Sequence, residues 1–279
     1  MNHTDSGKVW LITGASSGFG RAIAEEALRR GDRVVATARS VSGLADLVAL
    51  DPKRIAAVAL DVTVPGDARR TVETVLSRFG RLDVVVNNAG YGVVGAVEET
   101  SEAELRAVME TMFFGAAGLT REAVPLFREQ RAGTFVQISS MGGLLSPPGF
   151  SAYCAAKHAL EAFSESLSAE LAPFGVRVLI VEPGNFRTRL LGGSLRSMPP
   201  LDAYAPTVGP TRDFVSRWDG TQPGDPAKAA RAIVDAVSAD SAPLRLPLGG
   251  DAVDGIRREL SAIAADVDRS EAVARATTF

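Results

Sequence analysis

The sequence has a single cysteine, Cys154, in 279 residues. One thiol excludes an intrachain disulfide framework and a cysteine-built metal site. Histidine is nearly as scarce. With only His3 and His158, a multi-histidine metal centre is not expected, so no metal enters the reading. No apolar run approaches the ~18 residues that a membrane-crossing helix needs. The first eight residues lack a basic-then-apolar leader, which leaves the cytoplasm as the expected location. Neither sign of charge dominates. Lys and Arg number 30 against 33 Asp and Glu, a net charge of −3, and the two signs are interspersed. That balance argues against a nucleic-acid-binding or anionic-membrane-binding face. Repeats, low-complexity tracts and linkers are missing as well.

What is present is ordinary for a globular chain: 46% apolar and 23% charged residues. The length suits one α/β domain over residues 1–279 with a large core. Short apolar runs at 8–13 (KVWLIT), 33–38 (RVVATA), 54–60 (RIAAVAL), 82–86 (LDVVV), 134–139 (TFVQIS) and 176–181 (VRVLIV) read as buried strands. A brief last strand is expected at 244–247. Helical spacing appears at 21–30, 42–50, 65–79, 102–128, 151–171, 226–239 and 251–268, with Pro65 in the first turn of its helix. Strands alternating with helices in this way give a doubly wound parallel sheet covered on both faces, three layers deep. Residues 1–7 read as polar and loose. Residues 185–225 read as an irregular loop or lid, and 251–279 as a helical tail.

Three stretches carry chemistry. The turn Thr13-Gly14-Ala15-Ser16-Ser17-Gly18-Phe19-Gly20 joins the first strand to the first helix. Glycines there permit a tight turn and close approach of backbone to a pyrophosphate. The helix N-terminus adds free N–H groups and a positive dipole end. A glycine cluster alone also fits a flexible connection; its place after the first strand of the alternation favours a nucleotide site. The second strand ends at Ala38-Arg39, where a guanidinium suits a 2′-phosphate and no carboxylate competes. NADP(H) is thus favoured over NAD(H), with a solvated surface arginine as the alternative. Asp61-Val62 closes the third strand, placed to meet an adenine, though Asp61 is equally suited to capping a helix. Finally, Tyr153 and Lys157 stand four apart on one helix face. An ammonium beside a phenol favours the phenolate, and such a Tyr moves protons at a substrate oxygen.

With Asn87-Asn88-Ala89-Gly90, Ser140 and Pro183-Gly184 added, the chain closely resembles the short-chain dehydrogenase/reductase family, in its shorter single-domain branch. The resemblance spans about residues 8–248. It implies a Rossmann-like sheet of about seven strands in the order 3-2-1-4-5-6-7, a nicotinamide cofactor and a homodimer or homotetramer. By resemblance, Tyr153 is the acid/base, and Lys157 binds the nicotinamide ribose and lowers the Tyr153 pKa. Ser140 orients the substrate oxygen. Gly14, Ser16, Ser17, Gly18, Phe19, Gly20, Arg39, Asp61, Val62, Asn88, Ala89, Gly90, Pro183, Gly184, Phe186 and Thr188 join that pair around the cofactor, with Thr188 meeting the carboxamide. Asn87 mainly ties neighbouring strands together.

One departure stands out. The family places an Asn, holding a water of the proton relay, where this chain reads Thr111-Met112-Phe113-Phe114-Gly115. A thioether cannot donate and accepts weakly. The relay therefore runs through water and backbone, or through Thr111, or turnover is slow. Val93, Val94, Leu144, Leu145 and Phe150 flank the site in sequence. Leu190, Leu191, Met198, Leu201, Val208 and Phe214 lie in the 185–225 stretch, with Tyr204 and Trp218, which either close over substrate or simply pack. An apolar pocket is expected, hence an apolar ketone, aldehyde or secondary alcohol as substrate. Cys154 reads as a small buried thiol and His158 as a packing residue.

Overall fold

The computed structural model describes residues 7–279; the polar reading of the first residues lies outside it. Its elements are β1 (Val9–Ile12), α1 (Gly18–Arg29), β2 (Arg33–Ala38), α2 (Ala45–Leu50), β3 (Ile55–Ala59), α3 (Asp67–Phe79), β4 (Val84–Asn87), β5 (Gly92–Val94), α4 (Glu102–Met109), α5 (Gly115–Gln130), β6 (Gly133–Ile138), α6 (Ser151–Leu171), β7 (Val176–Pro183), β8 (Leu195–Ser197), α7 (Gly209–Trp218), α8 (Pro226–Ser238), β9 (Arg245–Leu248) and α9 (Gly250–Arg275). Seven strands form one parallel sheet in the order β3-β2-β1-β4-β6-β7-β9. Counting only these seven, that is the expected order.

The strands are apolar throughout because both faces are covered. Trp10 and Ile12 point to one side, packed with Ile23 and Ala27 of α1 and Ile233 and Val237 of α8. Val9 and Leu11 point to the other side, against α3, α5 and α6 through Val75, Leu119, Phe127 and Leu167. Each such side chain, removed from water, contributes about 1.5–3 kcal/mol. The alternation fixes register, since a one-residue slip would exchange the two cores. Asp32 pins the start of β1, accepting from Trp10 Nε1 and the Lys8 amide, both at 2.8 Å.

Several elements differ from expectation. The helix expected at 102–128 is interrupted by a π-helical turn, Glu110–Phe114, which carries Met112. Pro65 precedes its helix, which starts at Asp67 after Gly66 in a left-handed conformation. The stretch 185–225 is ordered: it contains β8 and α7, and β8 pairs in parallel with β5 as a separate two-stranded sheet. Glu99, with its side chain 1% exposed, anchors this segment. It accepts from the Leu201 and Ala96 amides at 2.7 Å and pairs with Arg212 of α7 at 2.6 Å. Helix α9 continues to Arg275, beyond the expected residue 268.

Candidate active site

The strand β1 and the glycine turn set one end of the site. Gly14 adopts φ +64°, and Gly20 lies where a side chain has no room. A Cβ on Gly20 would stand 2.6 Å from Gly14 O and 2.5 Å from Asn88 Nδ2. Asn88 is the brace here, donating to Thr13 O at 2.8 Å and Gly14 O at 3.2 Å. Thr13 Oγ1 in turn accepts from the Asn88 and Ala89 amides. The turn is therefore locked to the end of β4, with α1 opening directly behind it.

A cavity of about 750 Å³ runs from this turn to α6. All the residues expected to bind cofactor line it, from Gly14, Ser16, Ser17, Gly18 and Phe19 through Arg39, Asp61, Val62, Asn88, Ala89 and Gly90 to Pro183, Gly184, Phe186 and Thr188, except Gly20, which braces from behind. Ser140, Tyr153 and Lys157 line its other end. The volume lies in the range of small-molecule and cofactor sites. Glycines that leave backbone exposed beside a helix N-terminus fit a dinucleotide pyrophosphate. Arg39 is exposed at the rim. Asp61 accepts from the Thr63 amide and hydroxyl, which hold its carboxyl below the usual range, with Arg39 helping from a distance. Its side chain thus caps a local turn while the residue still lines the cavity. Phe19 stacks on Phe186 with ring centres 5.1 Å apart.

At the other end, Lys157 is 5% exposed, and its Nζ donates to Ile138 O at 2.7 Å. Burial lowers its pKa to about 8, an effect that Glu161 opposes. Tyr153 lies with its ring centre 5.9 Å from that Nζ. The expectation that Lys157 lowers the phenol pKa is not met. Burial pushes Tyr153 up to about 12, and the only opposing pull comes from Ser140. The ammonium donates instead to Ile138 O and is itself desolvated. Ser140 Oγ caps the short turn that follows, accepting from the Gly142 amide at 3.0 Å. Asn87 ties β4 to β6 and α5 through Gln137 and Thr120, each at 3.0 Å. Cys154 is buried with its thiol raised to about 11 by burial, and His158 bonds the Cys154 carbonyl on the exposed side of α6.

The expected apolar lining is only partly present. Leu190 and Leu191 line the cavity, but Val93, Val94, Leu144, Leu145 and Phe150 do not. Val93 joins Met112, Tyr153 and Cys154 in a small core, with Phe150 packed on it, because β5 turns its side chains inward. Met198, Leu201, Val208 and Phe214 also lie off the cavity, as do Tyr204 and Trp218. Tyr204 bonds Glu98 at 2.7 Å and Trp218 packs on Phe214. Sequence reasoning missed Tyr91, Leu195 and Arg196 at the cavity wall. Arg196 lies 4.1 Å over the Tyr91 ring and bonds Glu104 at 3.0 Å. Tyr91 directly follows the Asn-Asn-Ala-Gly stretch, a usable signal; the pairing of β5 with β8 that delivers Arg196 has none.

Comparison with known proteins agrees with this architecture. Residues 8–198 match the short chain dehydrogenase family model. A fungal oxidoreductase, BOA17 of Botryotinia fuckeliana, is 39% identical over 248 residues, covering 88% of this chain and 90% of its own. The solved structure of a short-chain dehydrogenase from Streptomyces avermitilis superposes with a TM-score of 0.93 at 53% identity, covering both chains fully. A Burkholderia phymatum short-chain dehydrogenase/reductase in complex with NAD gives a TM-score of 0.83 at 25% identity, over 95% of this chain and 97% of its own. The chain belongs to the short-chain dehydrogenase/reductase family of nucleotide-binding oxidoreductases.

Proposed function

We propose that this protein is an NADP(H)-dependent oxidoreductase that reduces an apolar ketone or aldehyde to the alcohol, working as one domain over residues 1–279. The observation that carries the reading is the convergence of Ser140, Tyr153 and Lys157 on the same cavity that begins at the glycine turn. The cofactor, when bound along the residues named above, supplies the hydride. The chain's own side chains do the rest. Ser140 holds the substrate oxygen, and Tyr153 donates a proton to it. A phenol pushed up to about 12 by burial is fully protonated at neutral pH, which suits an acid in the reducing direction. Lys157, fixed by Ile138 O, positions the ribose and restores the Tyr153 proton.

Arg39, with no carboxylate at the end of β2, supports NADP(H). Leu190, Leu191 and Leu195 support an apolar substrate. Phe114, 53% exposed on the π-helical turn between α4 and α5, supports assembly of copies through that face as a homodimer or homotetramer. No helix among the described residues is long and apolar enough to cross a membrane, consistent with a cytoplasmic setting and no membrane partner. The net charge of −3 supports no nucleic-acid partner.

The test is fluorescence titration with NADPH and NADH beside a carbonyl panel graded from alkyl and aryl ketones to sugars. Tighter NADPH binding and turnover of apolar ketones are expected. Preference for NADH moves the reading to an NAD-linked alcohol dehydrogenase, the cofactor carried by the Burkholderia phymatum relative. Met112 favours one other reading, a cofactor-binding sensor with weak catalysis. Binding without turnover on any carbonyl is its signature.

A further inference from the structure

Four cationic side chains line the cavity: Arg39, Lys157, Arg189 and Arg196. Three of them have a partner in the reading above. Arg39 stands at the end of β2, where a 2′-phosphate is expected. Lys157 Nζ is held by Ile138 O at 2.7 Å. Arg189 follows Thr188, whose Cβ lies 3.5 Å from where a Cβ on Gly18 would stand. That places Arg189 beside the glycine turn, the pyrophosphate end. Arg196, on the strand β8 that pairs with β5, is left over.

Arg196 stands at the catalytic end and is held there. Its guanidinium carbon lies 4.1 Å from the centre of the Tyr91 ring. Tyr91 packs against the small core that contains Tyr153 and Met112, and so does Leu190. A single nitrogen, Nη1, makes all the hydrogen bonds of this guanidinium among the described residues. It donates to both carboxylate oxygens of Glu104, each at 3.0 Å, and to the Tyr91 hydroxyl at 3.3 Å. Glu104 is on α4 and does not line the cavity. Nε and Nη2 are left without a partner among the described residues, and the side chain is 48% exposed. The Nε–Nη2 edge is a fork that grips a carboxylate with two parallel bonds.

Two further features suit a ligand on that edge. The ring and Glu104 fix the guanidinium in advance, which lowers the entropy lost on binding. Glu104 does not exhaust its capacity either: in this same chain Arg245 pairs with Glu161, Glu165 and Glu182 at once. The wall beside Arg196 is apolar. A Cβ on Gly92 would lie 2.7 Å from Leu195 Cδ1 and 3.8 Å from Leu190 Cγ, and both leucines line the cavity.

We infer that the substrate is an amphiphilic keto acid. Its carbonyl lies at Ser140 and Tyr153, its apolar body along Leu190 and Leu195, and its carboxylate on the Nε–Nη2 edge of Arg196. The inference rests on the proposed reductase reading and narrows its apolar ketone to one that carries a negative charge. Arg196 touches the substrate away from the reacting carbon. It therefore selects among substrates through KM and leaves kcat unchanged.

The test uses methyl-ketone acids of graded length, from 4-oxopentanoate to 10-oxoundecanoate, each beside its neutral methyl ester. NADPH oxidation is followed in the wild type, R196Q and R196K. At the best length the acid should exceed its ester by about tenfold in kcat/KM, through KM, and added salt should shrink the difference. R196Q should bring the ratio close to unity while the ester keeps its wild-type kcat/KM, and R196K should retain part of the preference. No acid preferred over its ester at any length overturns the inference. So does R196Q slowing acid and ester alike, because Arg196 then only latches β8 to α4. If neither acids nor esters are turned over, the reductase reading is in question, and calorimetric titration of the NADPH-loaded protein with 7-oxooctanoate decides separately. Binding that R196Q removes supports the inference; no binding, or binding undiminished in R196Q, contradicts it.

Discussion

Replacing Gly20 by Ala tests whether the glycine turn is held as tightly as its geometry requires. The new methyl would sit 2.6 Å from Gly14 O and 2.5 Å from Asn88 Nδ2. Backbone oxygen cannot retreat without opening the turn, so Asn88 must move. It would then lose its bonds to Thr13 O and Gly14 O. Overpacking costs about 1–3 kcal/mol, and each hydrogen bond lost adds about 1 kcal/mol. Some strain is relieved by local shifts, so about 2–4 kcal/mol is the net expected loss. For a domain of this size that lowers Tm by roughly 5–10 °C. Because the displaced atoms line the nucleotide end of the cavity, NADPH Kd should also rise by at least about tenfold. The assay is thermal melting together with NADPH fluorescence titration. Gly118→Ala is the control: it lies within α5 with nothing within 4 Å of a built Cβ. It should hold or raise Tm, since Ala is favoured over Gly in a helix by about 0.5–1 kcal/mol. Wild-type Tm and Kd in Gly20→Ala would refute the reasoning.

Arg39→Asp should weaken NADPH by about 1.5–3 kcal/mol, the worth of a charge-assisted contact, while NADH affinity changes little; isothermal titration separates the two. Glu99→Ala should leave Arg212 and the Leu201 amide without their anchor. Hydrogen exchange across 195–218 should then accelerate and substrate KM rise, with NADPH Kd within twofold of wild type on the order of experimental error. Acid stability should depend on Glu26, whose carboxylate is held down to about 2 from an ordinary 4.5 by hydrogen bonds from Arg29 and then Arg30. Its folded value lies below the unfolded one, so its contribution is complete above about 4.5 and disappears as pH falls toward 2. Urea midpoints measured across that interval should fall less steeply in Glu26→Gln.

The strands were legible because each is a short apolar run buried on both faces, and the first turn because its glycines follow β1. The spacing of Tyr153 and Lys157 puts them on one face of α6, and both line the cavity. What the sequence hides is set by tertiary structure. The π-helical turn at Glu110–Phe114 has no local breaker in its residues. Strands β5 and β8 are three residues each, pair across a hundred positions, and carry no periodicity of their own. Val93 and Phe150 read as pocket residues because they neighbour the site in sequence, yet β5 turns Val93 into a small core and Phe150, at the start of α6, packs against it. Spacing puts an ammonium near Tyr153 but says nothing of the burial that raises its pKa.

The central claim is that Tyr153 donates the proton while NADPH binds independently of it. The direct measurement is NADPH oxidation with the best ketone of the panel in Tyr153→Phe, alongside NADPH titration of the same preparation. The account predicts turnover lower by about 10²–10⁴-fold with NADPH affinity close to that of the wild type. Turnover at the wild-type rate in Tyr153→Phe would contradict it.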